Sequence, residues 1–203
     1  MARPPERAWQ RMLSGRRLDL LNPSPLDIEL ADIAHGLARV ARWNGQTEGD
    51  YAFSVAQHSI LVLEVAVALK PDLDDTGRLT VLLHDAPEYV LGDAISPFKA
   101  SIGGIYKAQE QRLLSAVHLR FSLPATAPTR LTRLTKKADR QAAYFEAVTL
   151  ARFEPAEARK YFGTPEMATF DIPDFDRLIR PWPTRQAHDR FMAAFQALGA
   201  PRG

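Results

Sequence analysis

Most of the chemistry in this chain lies in Leu82-Leu83-His84-Asp85-Ala86-Pro87-Glu88-Tyr89-Val90-Leu91-Gly92-Asp93. An imidazole and a carboxylate stand side by side, directly after the apolar run Leu79 to Leu83. Two further carboxylates, Glu88 and Asp93, follow. On a helix advancing about 100° per residue, His84, Asp85 and Glu88 fall within an arc of about 100°. An imidazole and two carboxylates converging on one face make a good site for a divalent cation. Uncompensated, the same cluster is costly to bury. Pro87 has no N–H to offer the carbonyl of Leu83, so the helix is expected to kink or restart there and re-aim Glu88 and Asp93. The plainer alternative is a helix end carrying a surface histidine and solvated acids.

These residues need elements to position them. Asp27 to Trp43 reads as a helix, with Ile28, Ile33, Leu37, Val40 and Ala41 at helical spacing and Asp27, Glu29 and Asp32 near its positive end. His35 lies on it, as a hydrogen-bonded structural group or a ligand. Asn44 to Asp50 is a loop. Ser54 to Leu69 is apolar on nearly every side, which marks a buried central helix. Gln57, His58 and Ser59 are the polar exceptions near its start, and a buried histidine there needs a partner. Pro71 to Gly77 is a turn in which Asp75 or Thr76 could cap the helix that delivers His84-Asp85. Ala94 to Lys99 is a loop, and Tyr106 to Phe121 is a helix on which His118 is expected at the surface.

Leu131 to Arg152 follows as a long helix with the stripe Leu131, Leu134, Ala138, Ala142 and Phe145. Asp139 projects about 80° from Leu131, at the stripe's edge. It can face inward, or be solvated beside Lys136, Lys137 and Arg140. Residues 153–183 read as irregular, with five prolines. Thr184 to Leu198 is an amphipathic helix with Ala187, Phe191, Phe195 and Leu198 on one face, Thr184 as N-cap and Gly199 closing it. Phe191 and Phe195 serve either the core or a dimer contact. No segment alternates as a strand should. The expected fold is an all-α bundle of six or seven helices, with a lead-in at 1–26, a core at 27–152, and a segment at 153–203 packed on the same domain.

Composition narrows the function classes. The chain has 203 residues, 46% of them hydrophobic, which gives ample core for one domain. A net charge of +2 without a long Lys/Arg block argues against nucleic acid as partner. The longest near-apolar run, Ile60 to Leu69, contains Glu64 and is too short to span a membrane. Residues 1–10 lack a signal-peptide core. With no cysteine, thiolate chemistry is excluded, a cytoplasmic location is the default, and any metal must be held by His, Asp and Glu.

Taken together, His58, His84-Asp85 and Asp139 form the order H…HD…D, with steps of 26, one and 54 residues. The motifs Ala56-Gln57-His58-Ser59, Leu83-His84-Asp85-Ala86-Pro87-Glu88, Gly92-Asp93 and Ala138-Asp139-Arg140 resemble those of HD-domain metal-dependent phosphohydrolases over roughly residues 30–150. Within that superfamily the chain looks most like the 5′-deoxynucleotidases and related deoxynucleoside triphosphatases. In those an Arg-Trp pair precedes the first histidine, as Arg42-Trp43 does, and a Pro and a Lys follow the acidic motif, as Pro97 and Lys99 do. One departure is Gln57, where the deoxynucleotidases typically have Glu.

The resemblance implies an HD-type helical bundle. It implies a divalent ion (Mn, Co, Fe, Zn or Mg) held by His58, His84, Asp85 and Asp139 and used to activate water against phosphorus. Glu88 and Asp93 would transfer protons or hold a further ion. Arg42 and Lys99 would hold phosphate oxygens, and Trp43 would stack on a base or sugar or belong to the core. The expected partner is a small phosphorylated molecule, first a (deoxy)nucleoside 5′-monophosphate, and a homodimer or higher homo-oligomer is compatible with the pattern. The alternatives are a triphosphohydrolase, a hydrolase of another phosphorylated metabolite or alarmone, and a non-catalytic ligand-binding module.

Overall fold

Gly15, at φ +88°, turns the chain between two short antiparallel strands, β1 (Trp9–Arg11) and β2 (Arg17–Asp19). The rest of what the computed structural model describes (residues 8–94, 104–166, 168 and 171–199) is helical or irregular. The α-helices are α1 (Leu30–Leu37), α2 (Val55–Leu69), α3 (Asp75–Leu82), α4 (Glu88–Leu91), α5 (Gly104–Arg120), α6 (Thr129–Thr149), α7 (Pro155–Phe162), α8 (Phe175–Ile179) and α9 (Thr184–Gly199). The fold is all-α, with nine α-helices among the described residues in place of the six or seven expected. The hairpin escapes a search for alternation because each strand has three residues and only Leu18 is buried.

α2 is the axis of the molecule. Ser54 caps it by accepting from Gln57 N–H, and nearly all of its first twelve residues are buried. It packs on α6, α3, α9 and α8. Gln57 is fully buried and joins this axis to the C-terminal region. Its Nε2 donates to the carbonyls of Leu178 (2.6 Å) and Arg180 (2.7 Å), and its Oε1 accepts from Trp182 N–H (3.0 Å). A glutamate could not donate to those two carbonyls, which gives the departure at this position a physical use. Gln57→Glu is therefore expected to lower the free energy of unfolding by about 3 kcal/mol or more, because a buried carboxylate would face two carbonyl oxygens. Urea denaturation measures this, and an unchanged midpoint would refute the pinning role.

Several expected boundaries move. The first helix stops at Leu37, because Val40 and Ala41 pair with the chain ahead of α2: Val55 N–H donates to Val40 O and Arg42 N–H to Phe53 O. Trp43 (φ +56°) and Asn44 (φ +52°) then take left-handed conformations in a tight 3-10 turn. The cap of α3 is Asp74, accepting from Gly77 N–H, in place of Asp75 or Thr76. Pro155 and its neighbours do not make residues 153–183 wholly irregular: Pro155 opens α7, where a missing N–H costs nothing, and α8 follows. His118, expected at the surface, is buried, and its ring Nδ1 lies 3.1 Å from Pro124 O. Phe191 is fully buried and Phe195 packs edge-on against Phe121, so both belong to the fold's interior contacts. α9 packs on α1, α2 and α3, which joins the C-terminal region to the same body.

One close approach bears on the site. α1 lies against α4, where a Cβ on Gly36 would sit 2.6 Å from Tyr89 O and 2.8 Å from Tyr89 Cβ. Glycine at 36 thus sets how near α1 comes to the turn that carries Glu88.

Candidate metal centre

His58 occupies the first turn of α2, fully buried. Its Nδ1 lies 2.5 Å from Glu146 Oε1, so Nδ1–H donates to the carboxylate and Nε2 presents its lone pair on the opposite side. His84 is held in a different way. α3 ends at Leu82 and the hydrogen bonds tighten to three-residue spacing, with His84 N–H on Val81 O and Ala86 N–H on Leu83 O. The break thus begins upstream of Pro87, whose ring conflicts with the carbonyl of Leu83. His84 and Asp85 lie in this turn, ahead of α4. His84 Nδ1 is 2.9 Å from Val81 O, and a carbonyl can only accept, so this ring too has its proton on Nδ1 and its lone pair on Nε2.

The two Nε2 atoms face a common point. His58 Nε2 lies 3.2 Å from Asp139 Oδ1 and 3.5 Å from Asp85 Oδ2, and His84 Nε2 lies 3.2 Å from Asp85 Oδ2. Neither Nε2 has a hydrogen-bond partner among the described residues, and both are buried. Ligating atoms of His58, His84 and Asp139 all lie within 4.8 Å of one another, and this group could hold a metal ion. Of its two expected placements, Asp139 therefore takes the inward one.

Lone pairs and carboxylate oxygens gathered this closely repel unless a positive charge sits between them. Burial, and then Arg42, push His58 towards its neutral form, but Glu146, Asp139 and Asp85 outweigh them and hold its pKa well above the ordinary value. Burial raises Asp85, yet His84 and His58 bring it well below the usual carboxylate range. Asp139 is lowered in the same way, chiefly by His58 against its burial. A proton or a cation answers the same demand. The floor of the cluster is sealed, with His58 and Glu146 side chains at 0% exposure, while Asp85 (24%) and Asp139 (39%) form an open lip. Sites that keep a coordination position for water or substrate have this form, whereas purely structural sites are closed.

Glu146 is a member of the site that residue type alone does not single out. It is fully buried on α6 and receives three donors: His58 Nδ1, Arg42 Nε at 3.3 Å and Trp43 Nε1 at 2.9 Å. Its burial favours the neutral acid, but His58 and Arg42 prevail and lower its pKa. It stands seven residues after Asp139, nearly two full turns, so both project from one face of α6. That recurrence is the signal by which the sequence could have shown it.

Arg42 spans the cluster's rim. Nη1 donates to Asp93 Oδ2 at 3.0 Å while Nε reaches Glu146, and these two acids keep the partly buried guanidinium firmly charged against the effect of desolvation. Trp43 donates to Glu146 and packs against Phe153 and Phe162, each with ring centroids 5.7 Å away. Glu88 is buried in the first turn of α4. Pro97 and Lys99 lie outside the described residues.

No protein-family model matches the chain. It is 60% identical over 161 residues to an uncharacterized protein of Rhodobacter capsulatus, a match covering 79% of this chain and 82% of that one. The chain belongs to that protein's family. The kinship names no chemistry, so the chemistry rests on the geometry just described. No helix among the described residues is long and apolar enough to cross a membrane.

Proposed function

We propose that the chain is a divalent-metal-dependent phosphohydrolase of the HD superfamily, acting on nucleotides and first of all on (deoxy)nucleoside 5′-monophosphates. The observation that carries this reading is the pair of imidazoles with Nδ1 committed and Nε2 turned towards the Asp85 and Asp139 carboxylates at an open lip. His58, His84, Asp85 and Asp139 hold the ion. When bound, a divalent cation there supplies acidity to water and polarises a phosphoryl oxygen. Two nitrogens with two carboxylate oxygens suit Mn²⁺, Co²⁺, Fe²⁺ or Zn²⁺. Glu88 and, across Arg42, Asp93 are the carboxylates that take and return the proton. Arg42 uses two of its five N–H groups on Glu146 and Asp93, which leaves others for a phosphate oxygen without breaking either bond.

Phosphate release, measured on metal-loaded and on chelated protein across nucleoside mono- and triphosphates, tests the proposal. Orthophosphate from monophosphates, lost on chelation, supports it. Tripolyphosphate from triphosphates would move the chain to the triphosphohydrolase alternative. Loaded protein inert on every nucleotide, with chelation changing nothing, would remove the catalytic reading.

Trp43 offers a sharper division. With its indole tied to Glu146 and packed on two phenylalanines, its support of the site is expected to outweigh any stacking on a base. Trp43→Ala should lower the melting temperature and reduce turnover of a nucleotide and of p-nitrophenyl phosphate by similar factors. A loss confined to the nucleotide, at unchanged melting temperature, would show instead that the ring meets the base.

A further inference from the structure

A second face of α6, beside the one that carries Asp139 and Glu146, lines an open groove of about 340 Å³ together with Phe162, Gly163 and Thr164. That volume is in the range of small-molecule sites. Arg133, Lys136, Lys137 and Arg140 all line it. With Gln141, they fill an arc of roughly 140° that begins about 60° from Asp139 around the helix. Glu166 pairs with Lys137 at 2.6 Å. No carboxylate among the described residues pairs with Arg133, Lys136 or Arg140, so three like charges face one concavity with little to offset them. Such an arrangement is unfavourable by itself and is relieved by an anion.

An independent observation points the same way. Gln141 lines the groove, is 5% exposed, and its Nε2 has no hydrogen-bond partner among the described residues. Its orientation is fixed, because Oε1 accepts from Glu166 N–H at 3.0 Å and a flipped amide would set two donors against each other. A buried amide donor without an acceptor is costly, and an oxyanion in the groove would satisfy it. The four-charge row alone could be a solvated face; the stranded donor behind it marks a built site.

We propose that this groove is an anion-binding site for a small phosphate-bearing molecule, separate from the metal centre and independent of the reaction assigned to it. Arg133 and Arg140 offer planar, bidentate donors to phosphate oxygens, Lys136 a point charge, and Gln141 the single neutral donor that discriminates a seated oxyanion from diffuse attraction.

The test is calorimetric titration of chelator-treated full-length protein with pyrophosphate, so that no metal contributes. Saturable binding at one site per chain is expected, weakened about tenfold or more in the Lys136→Ala/Arg140→Ala double variant, whose side chains line an open groove and whose fold should persist. Gln141→Leu should weaken it several-fold at unchanged salt dependence. Competition by ADP against tripolyphosphate then tells whether the source is a nucleotide or an inorganic oligophosphate. Absence of saturable binding, equal binding by the double variant, or displacement of pyrophosphate by duplex DNA at lower concentration than by ADP would each overturn the proposal. Because metal is absent throughout, a negative result here bears on the groove alone, and phosphate release by the loaded protein tests the metal centre separately.

Discussion

His84→Ala is expected to abolish metal binding and, with it, phosphate release. His84 contributes one of the two nitrogen lone pairs in the cluster, and its ring is oriented by a backbone carbonyl, Val81 O. Loss of an outer partner of a ligand typically costs about 10–100-fold in affinity, and loss of the ligand itself should exceed that. A thermodynamic readout avoids any assumption about substrate. A metal present at about 100 times its dissociation constant stabilises a folded protein by about 2.7 kcal/mol. The wild-type chain should show a gain of that order when Mn²⁺ or Zn²⁺ is titrated, and His84→Ala should show nearly none, while their chelated forms melt at similar temperatures. Equal gains in both proteins would mean that the ion binds elsewhere, and the centre would have to be abandoned.

The second large effect belongs to Glu146. Glu146→Ala removes the acceptor of three donors at once, leaving the fully buried His58 Nδ1–H without its partner and the partly buried Arg42 with one fewer. Breaking a buried ion pair by removing one member typically costs about 3–5 kcal/mol. The expected outcome is a fall of that size in urea denaturation, together with weaker metal binding, because His58 is no longer held with its lone pair on Nε2. Glu146→Gln should fall between the two, since an amide oxygen can still accept but the charge facing Arg42 is gone. A loss below about 1 kcal/mol with unchanged metal affinity would show that the triple acceptor is incidental.

The two residues differ in how far they can be read from residue types. His58, His84 and Asp139 stand out by identity and order, and they do lie together, because the central helix is apolar enough to be placed and the His-Asp pair follows a helix of its own. Glu146 does not stand out. One more acid among the charges of a long helix looks solvated until its donors are known, and Arg42 and Trp43 lie 104 and 103 residues away in the chain. Gln57 reads as a departure from a pattern, since its partners lie 121 to 125 residues on. The displaced boundaries have other causes. Pro155 reads as a breaker in a proline-rich stretch, although a first helical turn is a place that suits proline. The end of α3 is different, because Pro87 announces both the break and the restart at Glu88, and only the distance by which the break runs ahead of the proline is new. Propensity read residue by residue does not carry either kind of information.

The amide of Gln57 also sets a timetable. On a ribosome adding about 5–20 residues per second, the 121 residues between Gln57 and Leu178 take roughly 6–24 s to appear. Throughout that interval the axial helix carries, beside its first histidine, a polar group whose acceptors have not been made. Glu146 is made 32 residues before Leu178, so the four groups of the centre coexist with an unpaired Gln57 amide for only about the last quarter of that interval. Until then the start of the axial helix is held by its Ser54 cap and its packing alone, and the amide locks it only when the end of the chain arrives.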